Sequence, residues 1–281
     1  MLDRPLPDLA AWATWFRVAP IPVQAATAEE IALLAQAEAV RGDVDAHQLA
    51  DPVGSDPLMA LKLLAAVAQA RRGRAEDRPG GPETVTAALV MMGIGPFFRA
   101  FAELPTVEAV LAERPEAHAG LQRVVRRAHR AATFALGFAV HRMDEDAPVL
   151  HLAAQLHDFA EMLLWCHAPT LALEIARRQQ ADPTLRSAVV QKEVLHIELA
   201  ALQQALMRAW SLPELLVRVS DDAQARDPQV KSVALAIRLA RHTEDERGWD
   251  NPAVPDDLAE IGALLNLAPN ATAELVRSID G

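Results

Sequence analysis

The residues best equipped for chemistry are an adjacent pair, His157 and Asp158, inside the segment from His151 to Leu164. An imidazole and a carboxylate side by side can both reach one divalent cation, and a histidine from another helix can add a third ligand. His129 is the natural third ligand. The same dipeptide serves equally as a capped or hydrogen-bonded polar pair between helices, which is the commoner use of an isolated His-Asp.

Other reactive residue types carry less. Cys166 beside His167 has the composition of a nucleophile pair, but consecutive side chains on a helix diverge, so the thiol is expected in packing. Met92-Gly93-Ile94-Gly95-Pro96 has two glycines without the preceding strand or third glycine of a dinucleotide loop, and reads as a helix-to-helix turn. His47, His118, His141, His151, His167, His196 and His242 show no metal-ligand spacing, and surface or helix-end positions are expected for them.

The elements that must position these residues are helical. Ala28–Val40, Pro57–Ala70, Leu121–Val140 and Pro148–Cys166 repeat apolar residues at three and four positions, and no run alternates as a strand would. The apolar side is carried by Ala, Leu and Val, with aromatics at 4% and no Tyr, a balance that favours helix over sheet. Thr27 with Glu30 reads as a capping box, and Asp56-Pro57 puts a proline in a first helical turn. Trp12, Trp15 and Phe16 predict an amphipathic helix docked on the main body.

Arg71–Thr84 reads as an exposed loop through Pro79-Gly80-Gly81-Pro82, and Asp245–Asp257 as a second irregular stretch. A break at Arg114-Pro115-Glu116 places a subdomain border near residues 110 to 120. The expected organisation is all-α: an N-terminal helical subdomain over 1–110 and a second over 111–281, packed together.

Composition excludes several roles. The formal net charge of -11 repels phosphate backbones and argues against nucleic acid or anionic membrane as the main partner. Apolar runs such as Phe134–Val140 fall far short of the roughly 18 residues of a membrane span. One cysteine forms no internal disulfide, and no segment reads as a secretory signal, so a cytoplasmic location is expected.

Several landmarks in order resemble the HDOD family, signalling relatives of the HD-domain phosphohydrolases. Ala19-Pro20-Ile21-Pro22 resembles its proline-rich lead-in, and Asp56-Pro57-Leu58 its Asp-Pro-x-Leu helix. Ala87–Gly93 is similar to its Ala-x-x-x-Leu-Gly helix, and Ala154–Ala160 to its Gly-Leu-Leu-His-Asp segment, with Ala and Gln substituted. Trp210-Ser211-Leu212-Pro213 matches its Trp-x-x-Pro turn. The resemblance covers residues 18 to 245 and implies a multi-helix HD-like bundle.

Departures decide what the resemblance implies about activity. Val67-Ala68 stands where the family often has Asn-Ser, and Ser220-Asp221-Asp222 where many members have a His-His pair. Active HD enzymes need a late-helix Asp, and the best counterpart is Arg241. Replacing a carboxylate ligand by a guanidinium opposes a divalent ion twice, by lost coordination and by repulsion.

The resemblance therefore implies a bacterial signalling or regulatory protein that works by binding a protein or a nucleotide second messenger. His129, His157, Asp158 and Arg241 would be the remnants of the HD site, holding no catalytic residue and no cofactor. A buried Asp158 needs a positive charge or several donors beside it, with Arg241 and His129 as the candidates, and Arg241 in that role would replace the lost cation by a structural ion pair. The competing reading is a metal-dependent phosphohydrolase acting on a nucleotide or other phosphoester, with His129, His157 and Asp158 as ligands and Asp245 as a displaced fourth. Neither the oligomeric state nor the ligand is legible.

Overall fold

A computed structural model of the chain describes residues 1–72, 81–182, 184–221, 226–244 and 247–281. Among these residues the regular structure is helical, and the one β-type contact is an isolated parallel bridge between Val23 and Thr106. The chain divides into two compact units that interleave in sequence: Met1–Val124 with Asp158–Leu212, and Val125–His157 with Pro213–Gly281. A single border near residues 110 to 120 therefore does not describe the organisation. The chain leaves the first unit in the middle of a continuous helix and later returns to it.

The first unit opens with α1 (Leu9–Val18), α2 (Ala25–Arg41), α3 (Ala46–Gly54), α4 (Pro57–Arg72), α5 (Val85–Met92), α6 (Ile94–Ala100) and α7 (Val107–Val110). Helix α8 (Pro115–His141) carries the chain into the second unit, where α9 (Ala147–Leu156) follows. The chain re-enters the first unit with α10 (Phe159–His167), α11 (Pro169–Ala181), α12 (Ser187–Leu195) and α13 (Leu199–Ala209). It ends in the second unit with α14 (Glu214–Val219), α15 (Pro228–His242), α16 (Val254–Leu265) and α17 (Pro269–Asp280).

In the first unit α1 packs on α13, and α10 packs on both α13 and α4. The expected docking of α1 is seen: Trp12 and Phe16 are buried, and the Trp12 Nε1–H donates to the Leu195 carbonyl at 3.0 Å. The indole thus buries its apolar body while its polar edge stays bonded, which is what a buried tryptophan requires. Gly120 of α8 lies so close to Trp165 of α10 that a Cβ there would meet the ring at 2.5 Å. Only glycine permits that approach.

In the second unit α15 packs on α9, α14 and α16, and α16 on α17. Phe134 and Phe138 stack one helical turn apart in its core, with ring centroids 6.3 Å apart. Arg130 of α8 forms a bidentate pair with Asp280 of α17 at 2.8 and 2.7 Å, and its Nη1–H also donates to the Thr243 carbonyl. Such a fork fixes orientation as well as supplying charge attraction.

Some expected boundaries differ. Helix α2 begins at Ala25 with Gln24 as N-cap, and Thr27 is buried inside it. The Thr27 hydroxyl bonds to the buried carboxylate of Asp56 instead of capping the helix. The capping box in this region belongs to α3: Asp45 accepts from the His47 and Gln48 amides at 2.9 Å, and Gln48 Oε1 accepts from the Asp45 amide. Helix α4 runs through Arg72 into the expected loop, whose residues 73–80 lie outside the described ones. Pro255, expected in an irregular stretch, sits in the first turn of α16, where a missing N–H costs nothing.

Candidate functional site

His157 and Asp158 form the joint between two helices: His157 is the C-cap of α9 and Asp158 the N-cap of α10. His157 is half-buried and Asp158 is buried. The Asp158 side chain makes no capping hydrogen bond, so local helix capping does not account for it. The joint is also where the chain passes between units, so His157 belongs with His129 and Arg241 to the second unit and Asp158 to the first.

Phe159, next in sequence to the dipeptide, is held by the Trp-x-x-Pro turn. Its ring packs against Trp210 with centroids 5.8 Å apart, and both residues are buried. Trp210 is the C-cap of α13, and its Nε1–H donates to the Arg17 carbonyl at 3.4 Å. Ser211 then takes a left-handed backbone at φ 55°, and Pro213 serves as N-cap of α14. Trp210 is thus a buried anchor beside the start of α10.

The Asp-Pro-x-Leu landmark is equally structural. Asp56 Oδ2 accepts from the Gln24 amide at 2.7 Å, and Oδ1 from the Leu58 and Met59 amides at 2.9 and 3.3 Å. One carboxylate thereby caps α4 and staples the proline-rich lead-in to it. Burial pushes the Asp56 carboxyl above its ordinary range, against the lowering effect of these donors. Lys62, six residues on, donates to the Ile21 carbonyl at 2.9 Å; burial lowers its pKa, and nearby Asp56 partly offsets that. Gly93, at φ 81°, ends α5 and opens α6, the helix-to-helix turn expected of it.

The second-unit histidines show a grouping that spacing does not reveal. His151, assigned by sequence to a surface or helix end, is half-buried on α9 close to His129. Burial lowers the His151 pKa, and the His129 imidazole lowers it further. The His129 Nε2 is buried and has no hydrogen-bond partner among the described residues. Twenty-two positions of sequence separate the two, and only the fold makes them neighbours.

Arg241 lies on the last turn of α15, and the residue as a whole is exposed. A helix-end arginine keeps its hydration there and faces the helix dipole favourably. Asp245, the expected displaced ligand, is outside the described residues. Among the described residues no group of three or more His, Cys, Asp or Glu is arranged to hold a metal ion.

Two further histidines were missed as structural elements. His167, at the end of α10, is buried; its Nε2–H donates to the Pro20 carbonyl at 2.8 Å, and Trp15 and Phe16 pack edge-on against its ring. Burial is the main cause that lowers its pKa. His242 donates from Nδ1 to the buried Asp257 at 2.6 Å, tying α15 to α16. Cys166 is buried as expected, and burial pushes its thiol far up, which keeps it protonated and inert.

The arrangement is a helical scaffold whose landmark residues hold backbone and packing. The HDOD domain family matches residues 21–225, and the chain belongs to that family. Among solved structures it is similar to the MmoQ response regulator of Methylococcus capsulatus, with 18% identity over 92% of this chain and 99% of that one and a TM-score of 0.64. It is also similar to a virulence factor of Campylobacter jejuni, with 16% identity over 95% and 91% of the chains and a TM-score of 0.62. At these identities the likeness is one of fold. No curated protein matches the chain.

Proposed function

We propose that this chain is a bacterial regulatory protein of signal transduction that acts by binding, through an HDOD domain that does not hydrolyse phosphoesters. The observation that carries the reading is Arg241: a fixed positive charge stands, exposed, where an active HD enzyme needs a metal-binding carboxylate. Two changes add to it. Ser220-Asp221-Asp222 replaces a His-His pair, and the two acids would repel a phosphate. His157 and Asp158 remain, but with Arg241 in place of the late-helix carboxylate the resemblance leaves the donor set one ligand short for a catalytic divalent ion.

The neighbour named a response regulator supports a place in signalling, and the ligand in this reading is a protein or a nucleotide second messenger. Nucleic acid is excluded from it on the net charge of -11. No described helix is long and apolar enough to cross a membrane. The lone, buried cysteine suits a reducing cytoplasm.

The test is elemental analysis of purified protein with a phosphodiesterase assay in added manganese. The expected result is metal well below one equivalent and turnover indistinguishable from buffer. Stoichiometric metal with turnover that Asp158→Asn abolishes would establish the competing phosphohydrolase instead. Thermal-shift screening against cyclic and linear nucleotides, paired with affinity capture from lysate, then separates the two ligand classes.

A further inference from the structure

Three stretches of the first unit converge on one buried histidine. The backbone carbonyl of His167 accepts from the Leu2 amide at 2.7 Å, and its Nε2–H donates to the Pro20 carbonyl at 2.8 Å. Between those two ties, Trp15 and Phe16 of α1 pack edge-on against the ring, with centroids 5.2 and 5.9 Å away. Residues 1–22 thus wrap a single imidazole before α1, through it and after it. Further bonds hold the same stretch where Trp12 donates to the Leu195 carbonyl at 3.0 Å and exposed His196 donates from Nδ1 to the Leu6 carbonyl at 3.3 Å.

No carboxylate among the described residues stands by to neutralise a proton on that ring. On the N-terminal stretch, Asp3 accepts from the Thr170 hydroxyl at 3.5 Å and Arg4 is exposed. Arg17 of α1 and Arg208 of α13 are exposed, and Glu174 of α11 pairs with Arg178. On α4, Lys62 bonds the Ile21 carbonyl and Asp56 is taken up by backbone amides; Glu161 of α10 itself lies six residues back. The charge that does act on the ring is the Met1 amino group, which is positive and opposes a second positive charge.

We propose that residues 1–22 form an acid-sensitive clasp. When His167 takes up a proton, this stretch lifts from α10 and α13 and bares Trp12, Phe16 and the Leu195 carbonyl, while the rest of the first unit stays folded.

The sign follows from burial. In the lifted form the imidazole meets water and has its ordinary proton affinity, near pH 6.5, whereas burial makes the closed form bind the proton more weakly. The closed form is therefore fully stable above that pH. Each unit below it raises the lifted fraction by up to about tenfold, until the closed form is itself protonated. Two buried aromatic anchors, Trp12 and Phe16, keep the lifted form in the minority, so acid shifts a population instead of opening the clasp outright.

Hydrogen exchange on the full chain between about pH 7.5 and 5.5, corrected for intrinsic rates, tests this. The α1 amides are expected to exchange through an opening of lower free energy than the α4 amides, with protection falling by up to about tenfold per unit below pH 6.5. His167→Gln keeps a donor for Pro20 but takes up no proton, so its α1 protection should stay level. His196→Gln should retain the wild-type slope. In the wild type, an NMR titration should place protonation of the His167 ring below pH 6.5 without recourse to a variant. Equal protection of α1 and α4 overturns the clasp, because the opening is then global. A slope that persists in His167→Gln overturns it too, as does a His167 ring titrating at or above its ordinary value. So does an α1 indifferent to pH, the result if the Trp15 and Phe16 rings accommodate an imidazolium.

Discussion

Asp56 and Trp210, which match the HDOD pattern, and Arg241, which departs from it, sit in opposite physical environments. Asp56, Gly93 and Trp210 each do a job that the backbone demands: three amides on one carboxylate, a turn at φ 81°, a buried ring against Phe159. Arg241 is exposed on a helix end. The contrast teaches that the scaffold and the reactive site answer to separate constraints. The groups that hold the helices, Asp56 and Trp210 among them, are different residues from His157, Asp158 and Arg241, so in the reading proposed above the fold persists while the reactive site changes.

The comparison is broken most directly at Trp210. Trp210→Ala should destabilise the fold by about 3–5 kcal/mol, the range for a large buried aromatic, in denaturant titration. Phe159 loses its packing partner in that variant, so the joint at His157-Asp158 should loosen first in hydrogen exchange. A shift no larger than that of a surface substitution would place the anchor elsewhere.

A smaller, pH-dependent effect belongs to His167, with His151 adding to it. Burial holds both below the ordinary histidine value of 6.5 in the folded chain. Below that value the unfolded chain takes up a proton that the folded chain refuses. Stability is therefore complete above about pH 6.5 and falls as the pH drops through the depressed folded values. Denaturant midpoints at neutral and mildly acidic pH measure the slope, and His167→Gln should flatten it. An unchanged slope in that variant would assign the acid sensitivity to other groups.

The smallest effect is expected at Arg241. As an exposed side chain its removal in Arg241→Ala should change stability by no more than about 1 kcal/mol, the scale of surface charge interactions. A loss several times larger would mean that the guanidinium compensates a buried charge, and the contrast with Trp210 would collapse.

The helical fold was legible because period and composition agree, and because Asp56-Pro57 and Gly93 announce a start and a stop. The family was legible from landmarks in order. Thr27 misled because a hydroxyl before an apolar run looks like a cap, whereas its real partner, Asp56, lies in another helix. His167 and His151 were unreadable for a like reason: their neighbours Trp15, Phe16 and His129 come from distant segments. The exposure of Arg241 depends on how α15 is rotated in its packing, which no local pattern encodes.

The passage of the chain between units within α8 has a consequence for synthesis. Residues 1–124 emerge from the ribosome first, yet the helices that complete their unit, α10 to α13, come only after the intervening 125–157 segment. Trp12 must wait for Leu195 to accept its indole hydrogen, and Trp210 comes later still to meet Arg17. Nascent chains therefore expose the apolar face of α1 for most of translation, a window in which chaperone capture competes with misassembly. Stalled-chain proteolysis should show α1 acquiring protection only once Leu212 has cleared the exit tunnel.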